Sequence, residues 1–240
     1  MKDLFGKAIL DFQTNNSPES IITETNISEA DEMDVAYLFR SYNEMPKLEK
    51  KALQLCKGKV LDVGCGAGSH SLYLQNTKNL EVTSIDISEN AIQACQLRGL
   101  KNAKVQNILD LEIDSDSHQN KFDTILLLMN GTGIFGTLAA TSNYLQKLKS
   151  LLAPNGQILI DSSDIIYMFD EDEDGSKWIP ADGYYGELTF TISYKNEIEE
   201  PFPWLYLDYN TLQNAAFANG LQCELIEEGK HFDYLAKLSH

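Results

Sequence analysis

Lys59-Val60-Leu61-Asp62-Val63-Gly64-Cys65-Gly66-Ala67-Gly68-Ser69-His70 is the stretch on which the reading of the fold turns. Lys59 to Val63 has the short apolar, β-branched character of a buried strand. Three glycines at alternate positions follow, and a helix-forming run from Ser69 to Gln75 comes directly after them. Glycine lacks a Cβ, so such a turn bends tightly and admits a ligand close to its backbone. The same alternation then continues downstream. Glu81 to Asp86 reads as a strand, Ser88 caps a helix that Gly99 ends, and Ala103 to Ile108 reads as a further strand. Phe122 to Met129 is more apolar still. Its unbroken Ile125-Leu126-Leu127-Leu128 suits a central strand covered on both faces. A helix from Ser142 to Leu152 is stopped by Pro154-Asn155-Gly156, and Gln157 to Asp161 forms the next strand. Strand and helix in strict turn define an α/β chain with a doubly wound, mostly parallel sheet.

Outward from this core the pattern changes. Upstream, Pro46 fits a first helical position and Gly58 a helix stop. Ser28 is placed to cap a helix running to Arg40, with Glu29, Asp31 and Glu32 favourable in its first turn, and the residues before Ser28 read as a loose polar arm. Downstream, Asn210 to Asn219 reads as a helix ended by Gly220. Leu221 to Glu227 and Phe232 to Leu238 follow as strands joined by Glu228-Gly229-Lys230, short enough for an antiparallel hairpin. Between Ser162 and Asp208, Leu188, Phe190, Ile192 and Tyr194 alternate with more polar neighbours, and Phe202 to Leu207 is a candidate partner strand. That insertion reads as a β-hairpin lid over one end of the sheet. The expected organisation is an N-terminal arm and helix acting as a cap (1–45), a ligand-binding core (46–161), the lid insertion (162–208), and a C-terminal helix and hairpin completing the core (209–240).

Composition narrows the function classes. The net charge of −17 repels polyphosphates at long range, and no basic stripe gathers the 19 Lys and Arg residues, so nucleic acid is disfavoured as a partner. No run approaches the length of a membrane span, and Met1-Lys2-Asp3-Leu4-Phe5 lacks the form of a signal peptide. Cys56, Cys65, Cys95 and Cys223 form no C-x-x-C pair, as expected of reduced thiols in a cytoplasmic protein. Asp170-Glu171-Asp172-Glu173-Asp174-Gly175 matches the first half of a calcium-binding loop. Its twelfth position is Ala181 instead of Glu, so it is read as a solvated acidic loop, and no metal is expected.

The glycine turn separates two ligand chemistries. A dinucleotide fingerprint, G-x-G-x-x-G, would need glycine where Ser69 stands; here the third glycine comes one residue early. Asp62, just ahead of the turn, favours a cation or an amine over a pyrophosphate. The string resembles motif I of the class I S-adenosylmethionine-dependent methyltransferases, whose core is Rossmann-like. Asp86, after Val82-Thr83-Ser84-Ile85, resembles the family's acidic residue that accepts from both ribose hydroxyls, a task suited to a group that only accepts. The resemblance implies S-adenosylmethionine as methyl donor and S-adenosylhomocysteine as product. It assigns to the cofactor Asp62, Gly64, Cys65, Gly66 and Gly68, then Asp86 with Ile87 beside the adenine, Asn107 and Ile108, and Met129. Asn107 stands where the family often has Asp, with its amide facing the adenine amino group. Arg40 is a candidate partner of the methionine carboxylate, and His70 a second group at that end.

The family shares a cofactor site and no universal catalytic residue, because a methyl group on a positive sulfur needs mainly alignment and exclusion of water. Asn130, with no proline after it, reads as pocket wall or catalytic group. Asp161 and Asp164 read as base, orienting groups or turn caps. Trp178, Tyr184, Tyr185, Trp204 and Tyr206 crowd the insertion, where core packing and an aromatic-walled pocket account for them equally. The expected function is methyl transfer to a small molecule, neutral or cationic. The alternatives are a cofactor-binding module without turnover and a protein or RNA methyltransferase.

Overall fold

The computed structural model describes residues 2–113, 121–181 and 183–240. The chain runs α1 (Leu4–Thr14), β1 (Ile21–Thr25), β2 (Ser28–Met33), α2 (Lys47–Leu55), β3 (Lys59–Val63), α3 (Ser69–Asn76), β4 (Glu81–Asp86), α4 (Glu89–Leu97) and β5 (Ala103–Val105). It continues β6 (Phe122–Leu127), α5 (Thr141–Leu151), β7 (Leu152–Ser163), β8 (Glu187–Tyr194), β9 (Glu197–Ile198), β10 (Phe202–Leu205), α6 (Tyr209–Ala218), β11 (Gln222–Glu228) and β12 (Asp233–Ser239). The main sheet has seven strands in the order β11-β12-β7-β6-β3-β4-β5. β3 to β7 run parallel, and the final hairpin adds antiparallel strands beside β7.

The apolar run of β6 explains the double winding. Ile125 and Leu127 point to one face and pack with Leu145, Leu148 and Leu151 of α5 and Leu212 of α6. Leu126, with Leu128 just beyond the strand, points to the other face and meets Leu48, Ala52 and Leu53 of α2 and Leu74 of α3. Each buried leucine contributes roughly 1.5–3 kcal/mol relative to exposure. A strand apolar on both sides is therefore stable only between two helical layers. From β3 the chain steps outward to β4 and β5, then crosses back to β6 on the other side of β3. This is the topological switch point outside whose strand ends ligands bind.

The N-terminus departs from expectation. The segment read as a loose arm holds α1 and β1. Asp3 caps α1 by accepting from the Gly6 N–H, and Leu4, Ala8 and Ile9 form its buried stripe against α4. The helix expected from Ser28 to Arg40 is instead β2 followed by a 3-10 turn over Val35–Phe39. Ser28 closes a hairpin, its hydroxyl 2.7 Å from that of Thr25, and the acidic residues read as a first helical turn lie on an exposed edge strand. Charge on an edge blocks further strand addition, which gives Glu29, Asp31 and Glu32 a strand role.

The lid is likewise more than a hairpin. β8 and β10 pair antiparallel as expected, but β1 lies against the other edge of β8, so the lid sheet runs β10-β8-β1-β2 with β9 also on β8. Two segments far apart in sequence build one cover. Smaller shifts occur at strand ends. β5 stops at Val105, before the expected Ile108. β7 begins at Leu152, with the Pro154-Asn155-Gly156 stretch inside the strand and a register shift against β6 between Phe122 and Thr124.

Candidate functional site

The glycine turn lies where β3 ends. Gly64, Gly66 and Gly68 have φ of 70°, 51° and 80°, a region in which a side chain is strained, and Gly68 opens α3. A Cβ on Gly66 would meet nothing within 4 Å, so the backbone is bare there. A Cβ on Gly64 would come within 2.9 Å of the Ile134 side chain. The Gly66 N–H donates to Asp86 Oδ2 at 2.9 Å, and the Ser88 N–H donates to Asp86 Oδ1 at 2.9 Å. Burial pushes the Asp86 carboxyl up, against these two N–H groups, which pull it down. Beside it Ile87 is 60% exposed, an apolar side chain at the rim of the turn. Asn107 caps a 3-10 turn by accepting from the Leu109 N–H, leaving its amide nitrogen for other use, while Ile108 is buried in the core. Cys65 is buried, with its sulfur 3.9 Å from that of Cys95.

Behind the turn stands a charged cluster. Asp62 is buried and accepts from the Ser71 hydroxyl at 2.5 Å; burial raises its carboxyl, with His70 and Ser71 acting in the opposite sense. Glu49 is buried between Arg40 and His70, with His70 Nε2 2.6 Å from its Oε2 and Arg40 on its other oxygen. Burial works to raise the Glu49 carboxyl, but His70 and Arg40 hold it below the ordinary carboxylate range. Arg40 thus commits one nitrogen to Glu49 and another to the Tyr37 carbonyl, and its Nε is buried without a partner. Glu49 is the member of this cluster that sequence reading missed. Its position on α2, facing inward among basic neighbours, carries no sequence signal.

At the end of β6 the chain turns sharply through Met129 and Asn130, both in the left-handed region at φ 66° and 60°. Asp161 of β7 holds that turn. Its Oδ2 accepts from the Met129 N–H at 3.0 Å and its Oδ1 from the Gly131 N–H at 2.9 Å. Burial pushes the Asp161 carboxyl up to about 6, against those two bonds. Met129 is 37% exposed at the strand end. Asn130 reaches the lid: its amide nitrogen donates to the Leu205 carbonyl at 3.2 Å, and its oxygen accepts from the Ser162 hydroxyl at 3.0 Å. Thr132 also donates to Leu205 O, and Ser162 accepts from the Leu207 N–H. The Asn130 side chain therefore acts as a clasp between core and lid. Asp164 accepts from the Ile166 N–H and from the Tyr185 hydroxyl at 2.8 Å, a turn cap joined to the lid.

Predicted site residues thus fall into two groups. Gly64, Cys65, Gly66, Gly68, Asp86, Ile87 and Met129 gather along the C-terminal edge of the sheet, with Asn107 at its β5 side. Asp62, Arg40 and Ile108 are buried behind that edge. A depression of about 460 Å³ lined by Gln75, Asn79, Glu81 and Lys101 lies at the start of β4, the opposite end of the sheet. The acidic loop is closed by a bridge of Glu171 with Lys177, whose charges meet at 2.7 Å. Among the described residues no group of three or more His, Cys, Asp or Glu side chains is placed to hold a metal.

Bare backbone at Gly66, an acceptor-only carboxylate at Asp86 and exposed apolar surface at Ile87 and Met129 fit an adenosyl group with a short amino-acid tail. Fold and site together define a Rossmann-like, class I S-adenosylmethionine-dependent methyltransferase. A family profile described as a methyltransferase domain matches residues 56–202, and the chain belongs to that family. A crystal structure of an S-adenosylmethionine-dependent methyltransferase from Bacteroides fragilis in complex with S-adenosyl-L-homocysteine is 44% identical. It covers 99% of this chain and 94% of its own, with a TM-score of 0.89. CcbJ methyltransferase from Streptomyces caelestis (16% identity, TM-score 0.62, 82% and 94% covered) shares the fold. So does the sugar N-methyltransferase KedS8 from a Streptoalloteichus species (13%, TM-score 0.58, 89% and 95%). No curated protein sequence matches the chain.

Proposed function

We propose that this enzyme methylates a small-molecule acceptor enclosed between the lid sheet and the C-terminal edge of the main sheet. The observation that carries the reading is the clasp. Asn130 and Thr132, at the end of β6, bond directly to the lid backbone at Leu205, and the Trp204 indole lies where a Cβ on Gly133 would come within 2.1 Å of it. A lid bonded this closely to the end of β6 favours a compact acceptor over a polymer strand, and the net charge of −17 acts against RNA.

S-adenosylmethionine, when bound, supplies an activated methyl group on a positive sulfur. The chain's own residues bind and align. Asp86 receives the ribose hydroxyls, and Gly64, Cys65, Gly66 and Gly68 offer backbone to the amino-acid portion. Ile87 and Met129 cover its apolar surface, with Asn107 and Ile108 at the adenine end. Asp62, His70 and Arg40 set the charge behind the methionine end, and Asn130 and Asp164 hold the lid that excludes water. No residue of the chain is assigned as general base; an acceptor that carries a proton gives it up to solvent before the nitrogen or oxygen lone pair can react.

Calorimetry with S-adenosylhomocysteine tests the cofactor site. Wild type is expected to bind, and Asp86→Ala to bind at least about tenfold more weakly, as loss of charged hydrogen bonds worth roughly 1.5–3 kcal/mol requires. Methyl-labelled S-adenosylmethionine incubated with cell extract tests the acceptor class. Label in the low-mass fraction is expected, and label only in protein or RNA overturns the reading.

A further inference from the structure

Partner residues on neighbouring strands share a face of a sheet, as do residues two apart along one strand. Phe202 is paired with Phe190 and Trp204 with Leu188, and the Tyr206 N–H continues the pattern by donating to the Gly186 carbonyl. Phe190, Phe202, Trp204 and Tyr206 therefore project from one side of the lid. Ring centroids are 6.1 Å apart for Phe190 and Trp204 and 6.4 Å for Phe190 and Tyr206. The same face carries Ile192 and Tyr194 farther along, and these are sealed in the cluster with Leu4, Ala8 and Ile9 of α1. Tyr194 is 1% exposed, whereas Phe190, Trp204 and Tyr206 are only half-buried. Leu188, paired with Trp204 on the same face, is 4% exposed, so the half-buried rings form an aromatic wall bordered by packed residues at both ends.

That wall stands at the acceptor end of the site. Trp204 lies on Gly133, in the turn after β6. Burial, with Tyr167 and Asp161 close by, pushes the Tyr206 hydroxyl up to about 12, so it stays a protonated donor near the strand ends. Carboxylates stand nearby: Asp161, close to Tyr206, and Asp164 lie at the end of β7, with Glu49 farther back beside Arg40 and His70. Arg40, the cation of this region, is already committed to Glu49. Among the described residues, cation–π contacts use Tyr37, Tyr42, Phe122, Phe39 and Tyr194, and none uses Phe190, Trp204 or Tyr206. Half-buried π faces, nearby carboxylates and, among the described residues, no protein cation laid against these rings make a receptor for a cation.

We propose that the methyl acceptor is an amine, received as an ammonium cation against the faces of Phe190, Trp204 and Tyr206. The proposal rests on the placement of the acceptor under the lid given above, and adds its chemical class. An ammonium received here releases one proton to water. Its freed lone pair forms the new N–C bond as the methyl's bond to sulfur breaks with its electron pair on sulfur. Positive charge passes from sulfur to nitrogen within reach of the same rings. The wall thus favours both the bound substrate and the alkylammonium product.

The test uses Trp178→Phe, which removes an indole 67% exposed in the acidic loop region and leaves Trp204 as sole reporter. The protein is first saturated with S-adenosylhomocysteine, as confirmed by calorimetry. It is then titrated with choline and with the neutral isostere 3,3-dimethylbutan-1-ol while Trp204 fluorescence is followed. Choline is expected to change the emission and to bind at least about tenfold more tightly than the alcohol. Phe190→Leu and Tyr206→Leu, checked for an unchanged unfolding transition, are each expected to weaken choline about threefold or more, the range of a single cation–π face. Equal or reversed affinities, a silent Trp204, or no choline binding to the loaded protein overturns the amine proposal. Failure to bind S-adenosylhomocysteine would instead overturn the function proposed above.

Discussion

Asp161→Asn changes one oxygen of a side chain to nitrogen and tests how the end of β6 is held. In the native protein the carboxylate is 9% exposed and both of its oxygens are occupied by backbone N–H groups, those of Met129 and Gly131. Burial raises it to about 6 from an unfolded value near 3.8; the two N–H bonds and His70 act against burial, and Glu49 acts with it. The folded state therefore binds a proton more tightly than the unfolded chain. This contribution to stability is complete below pH 3.8 and is lost as pH rises through about 6. A difference of roughly two pKa units corresponds to about 3 kcal/mol. Asparagine does not titrate, so urea unfolding of wild type and variant at pH 4, 5, 6 and 7 isolates this group. Relative to Asp161→Asn, the wild-type stability should fall by about 3 kcal/mol from the acid end to the neutral end. At every pH the variant turns an amide N–H toward one of the backbone donors, an offset of about 1–3 kcal/mol that does not change the slope. A difference that stays flat across this window would refute burial as the dominant effect. A difference that grows with pH would mean that the two N–H bonds overcome burial and hold the carboxyl low.

Three further outcomes follow from the same geometry. Gly66→Ala should fold with a melting temperature lower by only a few degrees, since a left-handed alanine costs about 1–2 kcal/mol, yet bind S-adenosylhomocysteine at least about tenfold more weakly by calorimetry; unchanged binding would remove Gly66 from the cradle. Glu49→Gln should lose about 3 kcal/mol at pH 7, because it leaves the Arg40 guanidinium buried without its counter-charge. Glu49 is held below its unfolded value near 4.5, so its contribution is present above that pH and lost as pH falls through the folded value; in urea unfolding the gap between wild type and variant should close in acid, opposite in sign to Asp161. Asn130→Gly keeps the φ of 60° and loses only the clasp, whereas Asn130→Ala loses both, so alanine should destabilise more. Both should keep cofactor binding while hydrogen exchange quickens across residues 202–207, and an unchanged exchange rate would rule out the clasp.

How far the sequence could be read follows from how local each signal is. The core was legible because its cues sit within one element each: the Ile125–Leu128 run, the Ser88 cap and the Gly64-x-Gly66-x-Gly68 turn. The N-terminal segment was misread for the opposite reason. Ser28 with Glu29, Asp31 and Glu32 satisfies a helix start locally, but Ile21 pairs across to Tyr194, and that distant partner decides the strand. α1 did carry a stripe of Leu4, Ala8 and Ile9, too short to stand out before its docking on α4 was known. Around the glycine turn, the placement of Gly64, Gly66, Gly68 and Asp86 at the strand ends was legible. The charge state of the cluster behind them was not, because Glu49 joins Arg40 and His70 only through the packing of α2 beside α3.

The end of β6 ties the two halves of the site together. Met129, assigned to the cofactor, and Asn130, which grips the lid, are consecutive residues in left-handed backbone, and Asp161 fixes the turn that contains both. Ile134, a few residues on, lies against Gly64 in the cofactor turn, and Gly133 beside it carries the Trp204 ring. One short segment of chain therefore touches the cofactor cradle on one side and the acceptor wall on the other. Alignment of acceptor and methyl group depends on tenths of an ångström, so a shared rigid segment sets that geometry better than two independent walls. By this reasoning, substitutions that loosen the segment without touching either ligand should lower kcat more than they raise KM for S-adenosylmethionine. Asp161→Asn and Asn130→Gly are the variants in which that split is measured.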